Sequence, residues 1–375
     1  MSETIDIVIT TIGSGSFLEH YADTLAESGA RLVVIPDRKT PKAFYEACEK
    51  ARGRGASIVS PDVEEQDRLL TKLGVPDLIP YDSDNRRNIG YLLSYLNGSA
   101  MAVSMDDDNL PIDSPFLDEH RVVLQGPVPH RVVSAGNGWF NACDLLEVSP
   151  CRVFPRGFPY GPRETPTEVT STEEVADVRV NAGLWLDDPD VDAVTRLAVR
   201  PRVTAYNGKP AVLARDTWCP VNSQNTAVHH DALPAYYFLR MGQPIGGAAV
   251  ERFGDIFSGY FVAACAKHLG HAVRFGGPLV NHERNEHDLL NDLTIELPAI
   301  RFMDELLGWL REFQLQGSDY REAYESLSHG LEDFAEQARG GAWSQEARAF
   351  LHRSAYLMRT WLSAVRRIDG HGNGG

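Results

Sequence analysis

No run of apolar residues in the 375-residue chain approaches the length of a membrane span. Positive charge is short as well: 36 Lys and Arg stand against 52 Asp and Glu, and the formal charge of −16 opposes contact with nucleic acid and anionic membrane surfaces. An anionic small substrate would then need local arginines or a metal. The five cysteines (Cys48, Cys143, Cys151, Cys219, Cys265) lie far apart without CxxC spacing. That pattern argues against a zinc ribbon or a disulfide framework and fits a reducing compartment. The opening "MSETIDIVITTIG" has neither the basic start nor the long apolar core of a signal peptide, so a cytoplasmic location is expected. No GxGxxG fingerprint is found, and "GSGS" at 13–16 is not followed by GK[ST]. It carries little weight as a phosphate loop, and neither NAD nor flavin is expected. There is no internal repeat of fixed period.

What the sequence does contain is an alternation of strand and helix. "TIDIVITTIG" reads as a buried strand, "SFLEHYADTLAESG" as a helix with a Ser cap and a Gly stop, "ARLVVIPD" as a strand, and "TPKAFYEACEKARGRG" as a helix with Pro in its first turn. This order predicts an α/β fold with a parallel sheet and right-handed crossovers. Ligands in such sheets bind beyond the C-terminal strand ends. Three polar clusters fall there: Thr10-Thr11, "PDRKTP" with Asp37, and the aspartate run of "AVSMDDDNLPI". "EEQDRLLTKLG" and "DSDNRRNIGYLLSYL" read as amphipathic helices, the second bringing Asp84, Arg86 and Arg87 to the same rim. The Pro-, Gly- and aromatic-rich stretch from about 127 to 172 reads as irregular loops. Beyond 297 the pattern is helical, giving a catalytic α/β domain over 1–295, a helical region over 296–368 and a disordered tail over 369–375.

Asp106 and Asp108, two positions apart, face one side of an extended backbone, a spacing that suits a divalent cation also holding a diphosphate. The alternative is a solvated loop capping the next helix. "LVNHERNEHD" offers His282 or His287 as a third ligand, with His282 nearer the strand end. In "RVFPRGFPYGPRET", prolines would preorganise Arg156 and Arg163 for diphosphate or sugar hydroxyls, unless they are solvated arginines of a surface turn. Asp255, in the first turn of "GDIFSGYF", could serve the helix dipole, bind sugar hydroxyls or act as a base. Trp185 in "GLWLDD" suits either a sugar face or the core. Asn225 is a further candidate beside the nucleotide.

These segments together resemble the reversibly glycosylated polypeptides, a family that includes plant UDP-arabinopyranose mutases and bacterial relatives acting on nucleotide sugars. The match runs in order through "DIVITTI", "DSDNRRNIGYLLS", "MDDDN", "FPRGFPYGPRE", "GLWLDDPDVDA", "GQPIGG", "RFGDIFSGYF" and "PLVNH", from about residue 5 to 290. The resemblance implies a glycosyltransferase-A-like (Rossmann-like) nucleotide-binding sheet and a flavin-free ring contraction of a nucleotide-bound sugar. It implies that Asp106, Asp107 and Asp108 hold Mn²⁺ or Mg²⁺ with the diphosphate, that His282 is a third ligand, and that Arg156 is the arginine that becomes reversibly glycosylated. Two departures are visible: Asn109 stands where plant members usually have Cys, and Gly254-Asp255 replaces an acidic pair. The expected activity is interconversion of pyranose and furanose forms of a UDP- or GDP-sugar such as UDP-arabinose or GDP-galactose. Its rivals are a transferase with Asp255 as base and a self-glycosylated carrier. The expected partner is the nucleotide sugar, with an oligomer face on the C-terminal helices.

Overall fold

The structure is a computed structural model and describes residues 4–112, 116–284 and 288–372. The first half alternates as read: β1 (Ile5–Thr11), α1 (Leu18–Ser28), β2 (Arg31–Pro36), α2 (Lys42–Gly53), β3 (Ser57–Val59), α3 (Val63–Lys72), α4 (Arg87–Leu96) and β4 (Met101–Asp106). β1 and β4 are buried on both faces, as strands covered by helices on two sides must be. α3 starts at a reciprocal cap in which Asp62 accepts from the Glu65 N–H and Glu65 reaches back to the Asp62 N–H. The remaining elements are β5 (Asn109–Pro111), α5 (Phe116–His120), β6 (Pro127–Ala135), β7 (Leu146–Ser149), β8 (Val169–Asp187), α6 (Ala193–Ala198), β9 (Arg202–Tyr206), β10 (Ala211–Leu213), β11 (Asn225–His229), the pair β12 (Pro244–Ile245) and β13 (Ala248–Ala249), α7 (Gly254–His268), β14 (Ala272–His282), α8 (Leu289–Glu312), α9 (Tyr320–Gln337) and α10 (Gln345–Gly372).

One large sheet runs in the order β3-β2-β1-β4-β11-β8-β6-β10-β14-β5. Its first four strands are parallel, as expected; from β11 onward it is mixed, with β11 antiparallel to both β4 and β8 and β14 parallel to β8. Register sets the rim: Thr10 pairs with Ile35 on one side and Asp106 on the other, so β1, β2 and β4 end together. The antiparallel β11 begins against Met105, which places Asn222–Gln224 beside the aspartates. β14 ends with His282 opposite both Asn109 and Asp187.

The reading of 127–172 as irregular loops is corrected by β6, which pairs along its whole length with β8. Pro127 and Pro129 disguise it. They lie where β6 has no second neighbour, since β10 pairs only at Val132 and Val133, and proline is tolerated on such an edge. The C-terminal helices share the core of the sheet: Phe257 of α7 stacks on Phe302 of α8, and the Trp361 indole N–H of α10 donates to the Pro234 carbonyl (2.9 Å). α8 spans residues on both sides of position 295, and α10 continues to Gly372, with Asp369 accepting from Tyr95 (2.8 Å). Residues 373–375 of the expected tail lie outside the described residues. Among the described residues no helix is long and apolar enough to cross a membrane.

Candidate active site

Each aspartate at the end of β4 has a different partner. Asp106 accepts from Arg87, whose buried guanidinium also donates to Ser104 Oγ (3.0 Å), to the Ser223 carbonyl (2.8 Å) and to Thr10 Oγ1 (3.3 Å). Asp107 accepts from Thr11 Oγ1 at 2.6 Å. Asp108 faces His282 Nε2 at 3.7 Å, while His282 Nδ1 donates to the Asp188 carbonyl at 2.7 Å. Burial raises the pKa of Asp106 and of Asp107; Arg87 and Thr11 respectively oppose the rise without cancelling it. Burial also disfavours charge on Asp108 and His282, yet their mutual attraction wins, holding the Asp108 carboxyl below its usual value and the His282 imidazole above its own. The run is therefore half-buried and individually partnered, which a solvated cap would not be.

Two cavities meet at Asp107. One, of about 230 Å³, is bounded by Thr10, Thr11, Asp37, Ser83, Asp84 and Arg86. Arg86 is 1% exposed and is gripped at Nε by Gln66 Oε1 (2.9 Å), and its guanidinium lies 4.6 Å from the Tyr81 ring. Asp37 is oriented by the Arg38 N–H (2.7 Å) and the Ser83 N–H (3.3 Å). The second cavity, of about 490 Å³, lies between the Gly13–Ser16 loop, His20, Asp108 and Glu283. It contains the "GSGS" loop given little weight above, now as a wall of the cleft and not as a phosphate loop.

Arg156 is held from two sides. Its Nε and Nη2 meet Asp190 (2.9 and 3.0 Å), its Nη1 and Nη2 meet Asp255 (3.0 and 2.8 Å), and Nη1 also donates to the Arg252 carbonyl. These five bonds use every N–H of the guanidinium. Two sharp backbone features seat it. Gly157 has φ +82°, and a Cβ there would come within 2.3 Å of Ile256; Arg252 has φ +62°, unusual for a residue with a side chain. Burial would lower the Arg156 pKa, but the two carboxylates raise it well above normal. Asn222 links this cluster to the aspartates, donating to Asp190 Oδ2 (2.8 Å), while the Asp106 N–H lies 3.4 Å from the Gln224 carbonyl.

The model of the family described as "Reversibly glycosylated polypeptide" matches residues 1–369. The chain belongs to that family. Among curated members, "Probable UDP-arabinopyranose mutase 1" of Solanum tuberosum is 33% identical, covering 83% of this chain and 78% of the relative. "UDP-arabinopyranose mutase 2" of Arabidopsis thaliana is 31% identical, covering 84% of this chain and 80% of the relative. Among solved structures, S. aureus TarS 1-349 aligns over 99% of this chain and 92% of its own at 11% identity with a TM-score of 0.35, a likeness that carries no argument.

In this member of the reversibly glycosylated polypeptides, Thr10, Thr11, Asp37, Asp84, Arg86, Arg87 and Asp106–Asp108 share the cleft or its floor, with His282 beside Asp108. His287 lies outside the described residues. Arg163 is turned elsewhere: it donates to Asp192 Oδ2 and to the Phe158 carbonyl, both at 2.8 Å, and packs 3.8 Å from the Tyr160 ring. Trp185 is 4% exposed in β8, beside Arg156 in a tight apolar gap. Asn225 is fully buried, donating to the Pro278 carbonyl (3.1 Å) and accepting from His120 (2.9 Å). The sequence reading missed Asp190, Asn222, Ser223, Arg252 and Glu283. A signal existed for the first: Asp188, Asp190 and Asp192 alternate in "LDDPDVDA", so one face of an extended segment carries three carboxylates.

Proposed function

We propose that the chain is a nucleotide-sugar mutase, interconverting pyranose and furanose forms of a UDP-sugar such as UDP-arabinose or a GDP-hexose such as GDP-galactose. Supporting the reaction class is membership of a family whose curated relatives carry the name UDP-arabinopyranose mutase. The observation that carries the reading is the cleft, where a pocket of nucleoside size opens onto three partnered aspartates backed by Arg87. Opposite charges there suit a diphosphate and its counter-ion in one place.

The donors suit a hard divalent ion such as Mn²⁺ or Mg²⁺. His282 gives its Nδ1 proton to a carbonyl, the arrangement that leaves Nε2 free to ligate, and it points at a carboxylate too far for a hydrogen bond. Asp106, Asp108 and His282 would hold the ion. Among the described residues no three such groups already converge, so the set would close around it. When bound, the metal would stabilise the diphosphate as it separates from C1.

In this reading the chain's own residues supply orientation and charge. Arg87 fixes Asp106 and adds a buried positive charge beneath the diphosphate. Arg156 is a fixed cation, with Asp190 and Asp255 preventing it from turning away. With the diphosphate released, O4 attacks C1 as the C1–O5 bond breaks; the proton lost by O4 returns on O5, and the diphosphate re-forms its bond to C1. No oxidant or reductant is consumed. The transferase reading is less well supported, because both oxygens of Asp255, its expected base, are engaged by Arg156.

The test is incubation with UDP- and GDP-sugars and Mn²⁺ without acceptor, followed by anion-exchange chromatography and proton NMR. A new nucleotide-sugar peak with furanose anomeric signals, lost on adding EDTA, is expected. Free nucleoside diphosphate alone, or unchanged substrate, would overturn the mutase reading.

A further inference from the structure

At the far end of α7 from Asp255, about 18 Å along the helix axis, a recess of about 160 Å³ gathers positive charge in a protein that carries −16 overall. Three elements contribute. Lys267 and His268 close α7, Arg311 comes from the last turn of α8, and Arg215 comes from the turn after β10. Asp216 is the one carboxylate among the lining residues.

The cations differ in what they have left to give. Lys267 is 8% exposed and donates to the Ala214, Arg215 and Thr217 carbonyls (2.9, 3.0 and 2.8 Å), so its charge sits at the base of the recess with its donors used. Burial pulls its pKa down to about 7, with Arg215 and Arg311 adding to the effect and Asp216 opposing it. Arg311 sits 5.3 Å from the Trp139 ring and against Gly138, where a Cβ would fall 2.1 Å from its Nη2. Gly138 has φ +81°, so the bare backbone on which the guanidinium rests is fixed by the turn as well. Among the described residues neither the Arg215 nor the Arg311 side chain makes an ion pair or hydrogen bond, which leaves two forks of donors facing one recess.

Cations complement the C-terminal end of a helix, and that accounts for Lys267 and His268. It does not account for Arg215 and Arg311, which arrive from other elements and add positive charge that only Asp216 among the lining residues opposes. Ala264, Leu310 and Leu315 give the recess an apolar wall. We propose that this recess is a binding site for a phosphate-type oxyanion, separate from the nucleotide cleft, with Arg215 and Arg311 as its donors and Lys267 as its buried counter-charge. An oxyanion there would face the two arginines with Lys267 beneath them, and Asp216 is the one opposing carboxylate.

Trp218 lines the recess, 5.1 Å from Lys267 Nζ, and makes tryptophan emission the readout. The full-length protein is titrated with inorganic phosphate and, separately, with a nucleoside monophosphate, at ionic strength held constant with NaCl. A saturable change is expected, weakened at least tenfold in the double variant Arg215→Gln/Arg311→Gln, whose fold is checked by circular dichroism. Both arginines are exposed, so the double variant keeps the core. A response to inorganic phosphate alone assigns the site to the free ion; an equal response to the monoester assigns it to the phosphate end of a larger molecule. A signal that chloride reproduces, or that survives the double substitution, overturns the site. Neither outcome bears on the mutase reading, which is tested at the other end of α7.

Discussion

Arg156 lies between Asp190 and Asp255 with no N–H to spare, so its charge is fixed by geometry before any substrate arrives. For a sugar to become attached to it, as the family resemblance implies, one fork would first have to open and a proton leave. Replacing Asp190 by Asn keeps the shape but removes one of the two charges that balance a buried cation. Loss of one partner of a buried pair costs about 3 kcal/mol, and the urea midpoint of Asp190→Asn should fall accordingly; a change below about 1 kcal/mol would mean that the pair behaves like an exposed one. A second buried residue sets a pH dependence. His120 takes the Asn181 amide N–H on Nδ1 (3.1 Å) and bonds Asn225 Oδ1 through Nε2 (2.9 Å), an arrangement complete for the neutral ring. Burial, with help from Arg274, lowers its pKa to about 3. The unfolded chain takes up this proton below about 6.5 and the native state does not, so stability falls as pH drops from there toward 3. The slope is at most about 1.4 kcal/mol per pH unit. His120→Gln should flatten the dependence of urea midpoints between pH 6 and 4, and parallel curves for the two proteins would remove His120 as the cause.

Elements carry the site by their ends, and α7 serves both regions. It is apolar on all sides and buried over nearly its whole length, so it cannot shift without disturbing the sheet beneath it. Gly259 marks the tightest approach: a Cβ there would stand 2.0 Å from the Val221 carbonyl, one residue before Asn222. Gly308 of α8 offers the contrast, with no atom within 4 Å of an added Cβ. Gly259→Ala should therefore lower the thermal midpoint strongly and disturb the Asn222–Asp190 link. Gly308→Ala should raise stability by up to about 1 kcal/mol through helix propensity. Equal effects of the two substitutions would contradict the packing at Val221. The strand and helix ends of the parallel half were readable because apolar runs and caps are local. β6 was not, since its prolines mask a strand that only pairing with β8 defines. Of the partners of the aspartates, Thr11, Arg87 and His282 were named from the sequence as neighbours of the cleft, but which aspartate each meets was not readable: His282 reaches Asp108 through the register of β14 with β5 and β8, and no local pattern encodes that.

At the scale of the molecule, the sequence divides more sharply than the structure does. The helical pattern after 297 suggested an appendage, and the class of the fold, α/β with a C-terminal helical extension, is as expected. What the pattern could not show is that the extension closes the core. Trp361 is 1% exposed, packs against the Tyr237 ring and donates to the Pro234 carbonyl; Phe350 lies against both Phe257 and Phe302. Removing residues 316–375 would uncover these aromatic faces together, each Trp or Phe lost costing about 3–5 kcal/mol by the measure of single truncations. A domain's whole stability is about 5–15 kcal/mol, so the loss of several such contacts exceeds it. The shortened chain should fail to give a cooperative melting transition and should bind a hydrophobic dye. Retention of a cooperative melt by residues 1–315 would show that the α/β part folds alone, and that the C-terminal helices are a separate unit and not part of its core.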